Sequence, residues 1–195
     1  MSSERGVKES AGRPRSAEVS RGIVEAALRL LRERGPQGVT MEAVAQHSGS
    51  AKTTIYRRYR NRYELLLASL AFVEGMPEPD PGLSQRERIA FLLGQFRYGL
   101  EEVVGLRAVG ALLPGDDDPE FTRAFREGVL APRFEVLLTT LREGVVAGEL
   151  REDADCPMVV NMLAGSFLAR FAVEGTVPAD WADTALDSIW PAICR

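Results

Sequence analysis

Apolar residues recur at helical spacing along most of this chain, and no segment alternates convincingly with a period of two. Over residues 16–34, Val19, Ile23, Ala26, Ala27, Leu30 and Leu31 predict a first helix, which Gly35 and Pro36 must stop. Thr40 is placed to cap a short second helix ending near His47, and Gly49 supplies a turn. A third helix is predicted over residues 51–59. Asn61 and Glu64, spaced as in a capping box, open a fourth that reaches about Glu74.

Residues 76–83, MPEPDPGL, break the pattern with three prolines and a glycine and read as a linker. Helical spacing returns over residues 84–104 through Ile89, Leu92, Leu93, Phe96 and Leu100, and a short helix follows to about Leu113. In LPGDDDP, Asp118 is placed as a cap with Pro119 at the first helical position. The long helix after it should kink at Pro132, which cannot donate a backbone hydrogen bond. Two more helices are predicted, over residues 155–174 and 181–193. The expectation is an all-α chain of about nine helices. It divides into a basic tail (1–15), a helix-turn-helix unit (16–75), a linker (76–83) and a helical effector and dimerisation domain (84–195).

On a helical wheel of the third helix, Ala51, Ile55, Arg58 and Tyr59 share one side. Lys52, Thr53, Tyr56, Arg57 and Arg60 share the other. Burying the first set turns the second outward, and a helix presenting Arg, Lys and Thr fits a DNA major groove. Five cations and no anion lie between residues 51 and 62, which suits phosphate contact.

Charge sharpens this picture. The chain of 195 residues carries a net charge of −4. Residues 1–75 hold 13 basic and 8 acidic side chains, and the remainder 11 and 20, so a basic third precedes an acidic body. Gly12-Arg13-Pro14-Arg15 reads either as part of a solubilising tail or as an arm for a minor groove. No signal core opens the chain and no apolar run approaches the roughly 20 residues of a membrane helix, so a cytoplasmic protein without a membrane partner is expected. Cys156 and Cys194 read as reduced and structural. With one histidine, no Gly-rich phosphate loop and no nucleophile elbow, neither a metal site, a cofactor nor an enzyme is expected.

The stretch SAEVSRGIVEAALRLLRERGPQGVTMEAVAQHSGSAKTTIYRRYRNRYELL resembles the TetR/AcrR family of bacterial transcriptional regulators, most specifically at Thr54-Ile55-Tyr56-Arg57-Arg58-Tyr59, Asn61, Arg62 and Leu65-Leu66. DPEFTRAFREGVLAPRFEVLLTTLREGVVAGELREDAD is similar to the second domain of an actinobacterial-type branch. The resemblance implies a homodimer on a palindromic operator in double-stranded DNA, most simply a repressor released by a small molecule. By position, Lys52 and Thr53 would face bases. Thr40, Thr54, Tyr56 and Arg62 would face phosphates, and Arg57 and Arg58 either. The family usually has Val then Ser where this chain has Ser50 then Ala51; Ser50 would then cap the recognition helix and lengthen it by a residue.

The resemblance also places the dimer interface on the last two helices, where Val159, Leu163, Ser166 and Phe171 and then Trp181, Leu186, Ile189 and Trp190 form apolar stripes. An effector site is expected among Phe91, Gln95, Tyr98, Phe134, Leu137, Met162, Phe167 and Arg170, whose aromatic and apolar character implies a lipophilic ligand. The competing reading keeps the fold but makes the second domain an oligomerisation or protein-docking module without ligand control.

Overall fold

The computed structural model describes residues 13–72, 77–111 and 118–195, with side chains from residue 16 onward. The tail before Arg13 lies outside them, as do the expected end of the fourth helix, the start of the linker and Leu113. The described chain is helical: α1 (Arg13–Arg34), α2 (Met41–Ser48), α3 (Lys52–Arg58), α4 (Arg62–Ala71), α5 (Gln85–Tyr98), α6 (Leu106–Gly110), α7 (Pro119–Phe125), α8 (Ala131–Val146), α9 (Cys156–Glu174) and α10 (Trp181–Ile193). α7 and α8 run into one another through a π-helical turn, Arg126–Leu130, so nine separate rods stand among the described residues. The one β contact among them is an isolated bridge between Leu150 and Cys194.

The helix ends follow local chemistry. α1 stops at Gly35, whose φ of 73° is open to glycine and strained for other residues. Thr40 accepts from the Ala43 N–H at 3.1 Å, and Asn61 from the Glu64 N–H at 2.9 Å. Ser84 and Glu87 form a full capping box on α5. Asp118 caps α7 through the Phe121 N–H, with Pro119 in the first turn. α1 starts at Arg13, three residues before the spacing of apolar positions predicted. The kink expected at Pro132 takes the form of the π-helical turn just before it. A proline there cannot donate to the Gly128 carbonyl and its ring crowds that carbonyl, so the turn widens. A second π-helical turn, Gly99–Val104, extends α5 and ends at Gly105.

One buried core runs from Ile23 to Ile193. α1 packs on α2, α4 and α6, α4 packs on α7, and α5 packs on α8 and α10. The first four helices are therefore seated directly on the rest. α9 corrects one expectation: its 19 residues, with a mean hydropathy of 1.5 over its most apolar window, are long and apolar enough to cross a membrane, yet only a third of that window is buried within the protomer. Cys156 and Cys194 are free thiols.

Candidate DNA-binding surface

α2, the turn at Gly49 and α3 form the helix-turn-helix. Gly49 has φ 65°, the left-handed conformation that ends α2 without a Cβ clash. The Ser50 N–H donates to Ser48 Oγ at 3.3 Å, so Ser50 belongs to the turn. Ala51 occupies the N-cap of α3 with no side-chain cap, and the expected lengthening by Ser50 does not occur.

Ile55 is fully buried and fixes the rotation of α3. Lys52, Thr53, Tyr56 and Arg57 are then exposed, and Thr54 is half-buried. Lys52 donates to Glu42 on α2 at 2.9 Å. That hydrogen bond, more than any other influence, holds the Glu42 carboxyl below its usual range. Both partners are more than half exposed, so the pair is weak and open to exchange. Arg57 has no partner among the described residues.

Two arginines are placed otherwise than their positions implied. Arg58 donates from Nε to Ser20 Oγ at 3.0 Å and from Nη2 to the Ser16 carbonyl and hydroxyl at 3.3 and 3.2 Å, tying α3 to α1. Arg62, expected at a phosphate, is turned inward with its side chain 19% exposed. Its Nε donates to the Val39 carbonyl and Nη2 to the Pro36 carbonyl, both at 2.7 Å. Its two terminal nitrogens grip both oxygens of Asp118 at 2.7 and 2.6 Å, and Nη1 also reaches Glu120 at 3.3 Å. With its donors consumed by the protein, Arg62 is a clasp between the helix-turn-helix and the start of α7. Burial works against both charges of the clasp. The mutual hydrogen bonds outweigh it, raising the Arg62 guanidinium and lowering the Asp118 carboxyl from their ordinary values. Asp118 was legible as a helix cap, but nothing in the sequence marked it as the partner of a residue 56 positions away. Tyr63 adds to the same junction, donating to Glu127 and lying under the Arg123 guanidinium, 4.7 Å from its ring centre.

The residues expected around an effector do not converge on one open cavity. Leu137 and Phe167 are fully buried, and Phe91, Gln95 and Phe134 half-buried. Tyr98, Met162 and Arg170 face solvent, because they project from the outer sides of α5 and α9. Arg170 pairs with Glu174 one turn away at 2.8 Å. Phe96 is the hub: its ring lies 6.4 Å from Phe134, 5.8 Å from Phe167 and 6.4 Å from Trp181.

The stripes expected at a dimer interface also divide. Val159, Leu163, Trp181 and Leu186 fill the protomer's own core, since α9 and α10 turn these positions toward α5 and α8. Trp181 donates its indole N–H to Ser166 at 2.9 Å. Ser166, Phe171, Ile189 and Trp190 remain half-buried, beside the exposed Met158 and Met162. A cleft of about 520 Å³ opens on this face between α9 and α10, with Met162, Arg170, Asp180 and Ile189 on its walls.

Comparison with known proteins agrees with this geometry. Residues 23–69 match the model of bacterial regulatory proteins of the tetR family, and residues 79–189 match that of the tetracyclin repressor-like C-terminal domain. The HTH-type transcriptional regulator YdeS of Bacillus subtilis, itself uncharacterized, is 29% identical over 168 residues, covering 84% of this chain and 83% of its own. The TetR family transcription regulator SCO0332 shares the fold with a TM-score of 0.69 at 24% identity, over 91% of this chain and all of that one. The regulator FadR from Bacillus subtilis, solved in complex with stearoyl-CoA, does so with a TM-score of 0.68 at 20% identity, over 86% of this chain and 95% of that one. A helix-turn-helix with an outward cationic face, both halves matched by the family's models, means that this chain belongs to the TetR family of DNA-binding transcriptional regulators, which are not enzymes.

Proposed function

We propose that this protein is a homodimeric repressor that occupies a palindromic operator and leaves it when a small lipophilic effector enters the second domain. The observation that carries the reading is the outer face of α3, where Lys52, Thr53, Tyr56 and Arg57 stand exposed together above the buried Ile55. Arg57, long and unpartnered, suits guanine edges in a major groove. Lys52 exchanges Glu42 for DNA at little cost. Thr40, Thr54 and Tyr56 contact phosphates, and Arg58 positions α3 against α1. Arg57→Ala should weaken operator binding by about 1–3 kcal/mol in a titration at fixed salt. Unchanged binding would remove α3 as the reader.

A second copy covers the outer face of α9 and α10. α9 is too apolar to stand two-thirds unburied in water, and Met158, Met162 and Ile189 supply a self-complementary patch. Met162→Glu should convert the dimer to a monomer and loosen the grip on a two-half-site operator. A wild-type protein that scatters light as a monomer at micromolar concentration would contradict the dimer.

A lipophilic effector is supported by the aromatic cluster around Phe96, and by the fold shared with a regulator that binds stearoyl-CoA. Compounds of this class should raise the melting temperature by mass action and release the operator. A second domain that serves only for docking would give neither response. Operator DNA as the partner places the protein in the cytoplasm.

A further inference from the structure

Among the described residues, Arg133 is the one charged side chain inside the core, 5% exposed. The other fully buried polar side chains are satisfied: Ser69 donates to the Leu65 carbonyl, Gln85 to that of Thr140, and Thr140 to that of Val136, while Arg88 Nε and Thr122 Oγ1, on half-buried residues, also lack a partner. Arg133 differs. Its Nη1 donates to the Val129 carbonyl at 3.1 Å, its Nε is buried without an acceptor, and no carboxylate pairs with it among the described residues. Burial alone moves this guanidinium below its ordinary value, with no neighbouring charge to oppose the shift. Arginine nonetheless remains a cation, and a buried cation is costly unless something pairs with it.

The location points to what pairs with it. Nε and Nη2 form one edge of the guanidinium, the edge that matches a carboxylate or phosphate with two parallel hydrogen bonds. That edge lies over Gly99, where a Cβ would stand 3.0 Å from Nη2 and 3.3 Å from Nε. One turn before Gly99 on α5 is Phe96, the hub of the aromatic cluster, and next to Arg133 on α8 is Phe134. A cationic edge with spare donors thus adjoins an apolar cluster. Arg170, the cation first expected to serve here, is on the surface with Glu174.

Both π-helical turns meet this point, and each leads to the DNA-binding unit. The turn Arg126–Leu130, which holds Val129, packs at Gly128 against Leu70 and Leu67 of α4. The turn that begins at Gly99 ends in the Glu102 and Val103 carbonyls, which accept from Arg32 of α1 at 3.4 and 3.2 Å. π-Helical turns are rare and gather at functional sites.

We propose that Arg133 is the anion anchor of the effector site, and that the effector is an amphiphile whose carboxylate or phosphate head pairs with the Nε/Nη2 edge while its apolar chain enters the cluster of Phe96, Phe134 and Phe167. This rests on the reading of the second domain as ligand-controlled. Drawing Arg133 toward a ligand shifts both π-helical turns against α1 and α4, which gives binding a route to the recognition helix.

The test compares dodecanoate, dodecyl phosphate and dodecanol by calorimetry and melting temperature, with operator release in a gel shift. The wild type should bind at least one anion roughly tenfold to a hundredfold more tightly than the alcohol, as one charge-assisted contact warrants. Whether dodecanoate or dodecyl phosphate wins identifies the head as carboxylate or phosphate. R133M should bind all three alike, still bind operator, and melt no lower than the wild type without ligand, because an unpaired buried charge has been removed. A merely structural arginine would instead leave R133M less stable and its anion preference intact. R133K, which keeps the charge but not the two-donor edge, should retain only part of the preference and decides the matter if R133M does not fold. Equal binding of anion and alcohol by the wild type would overturn the anchor while leaving ligand control standing. Binding of none of the three would overturn both.

Discussion

Replacing Arg62 by alanine is expected to destabilise the protein by about 3 kcal/mol, the cost of removing one partner from a largely buried ion pair. The loss has three sources. Asp118, its side chain 11% exposed, is left charged beside the core. The Val39 carbonyl, just before the N-terminus of α2, loses its donor, and the Pro36 carbonyl keeps only the Val39 N–H. The charged tie between the helix-turn-helix and the start of α7 is cut, leaving the packing of α4 on α7 and the Gln37–Asp118 hydrogen bond. Chemical denaturation measures the stability, and an Arg62→Ala protein within about 0.5 kcal/mol of wild type, the range of ordinary surface changes, would show that the clasp is not structural. Acid should expose the same contact. The Asp118 carboxyl is lowered in the folded protein, so its contribution is complete above its unfolded value of about 4 and is lost as the pH falls through the folded value. The contribution is therefore constant between pH 5 and 8. Asp118→Asn keeps an acceptor for the Phe121 N–H but removes the charge, so its stability should fall less steeply below pH 4 than that of the wild type.

Phe96→Ala should cost more, about 3–5 kcal/mol, as expected for truncating a fully buried aromatic residue. Phe96 touches rings from three other helices, those of Phe134 on α8, Phe167 on α9 and Trp181 on α10. Its loss therefore opens a void where four helices meet, and no single side chain can swing in to fill it. A fall in melting temperature on the order of 10 °C is expected for a domain of this size. Operator binding of the molecules that remain folded should be unchanged, because Phe96 and the rings it touches lie on α5, α8, α9 and α10, none of which carries a DNA-facing residue. A shift of only a degree or two would mean that the aromatic cluster is loosely packed and already tolerates a cavity.

The helix-turn-helix was legible in the sequence because its signals are local. Thr40, Gly49 and Asn61 each act within four residues of their own position, and helical spacing alone marks Ile55 as the inward residue of α3. The helical wheel put Arg58 on the inward side with Ile55, but its partners Ser16 and Ser20 were not legible, nor was the inward turn of Arg62 to Asp118, because those partners are set by tertiary packing. The stripes of α9 and α10 were visible, but their orientation was not. When a helix is apolar on most of its circumference, as α9 is, periodicity does not say which side faces the protomer and which a partner. Arg133 was hidden for a related reason: a charged residue in a segment rich in charges carries no mark of burial until α5 is seen packed against α8.

If α3 of a dimer reads a symmetric DNA site, selection of bound sequences from a random DNA pool by the purified protein, followed by gel shifts of the winning sequence at two salt concentrations, will reveal it. The expected result is an enriched palindrome, two half-sites related by the symmetry of the dimer, with affinity falling steeply as salt rises. A pool that yields no enriched sequence, or one half-site bound by a monomer, would contradict it.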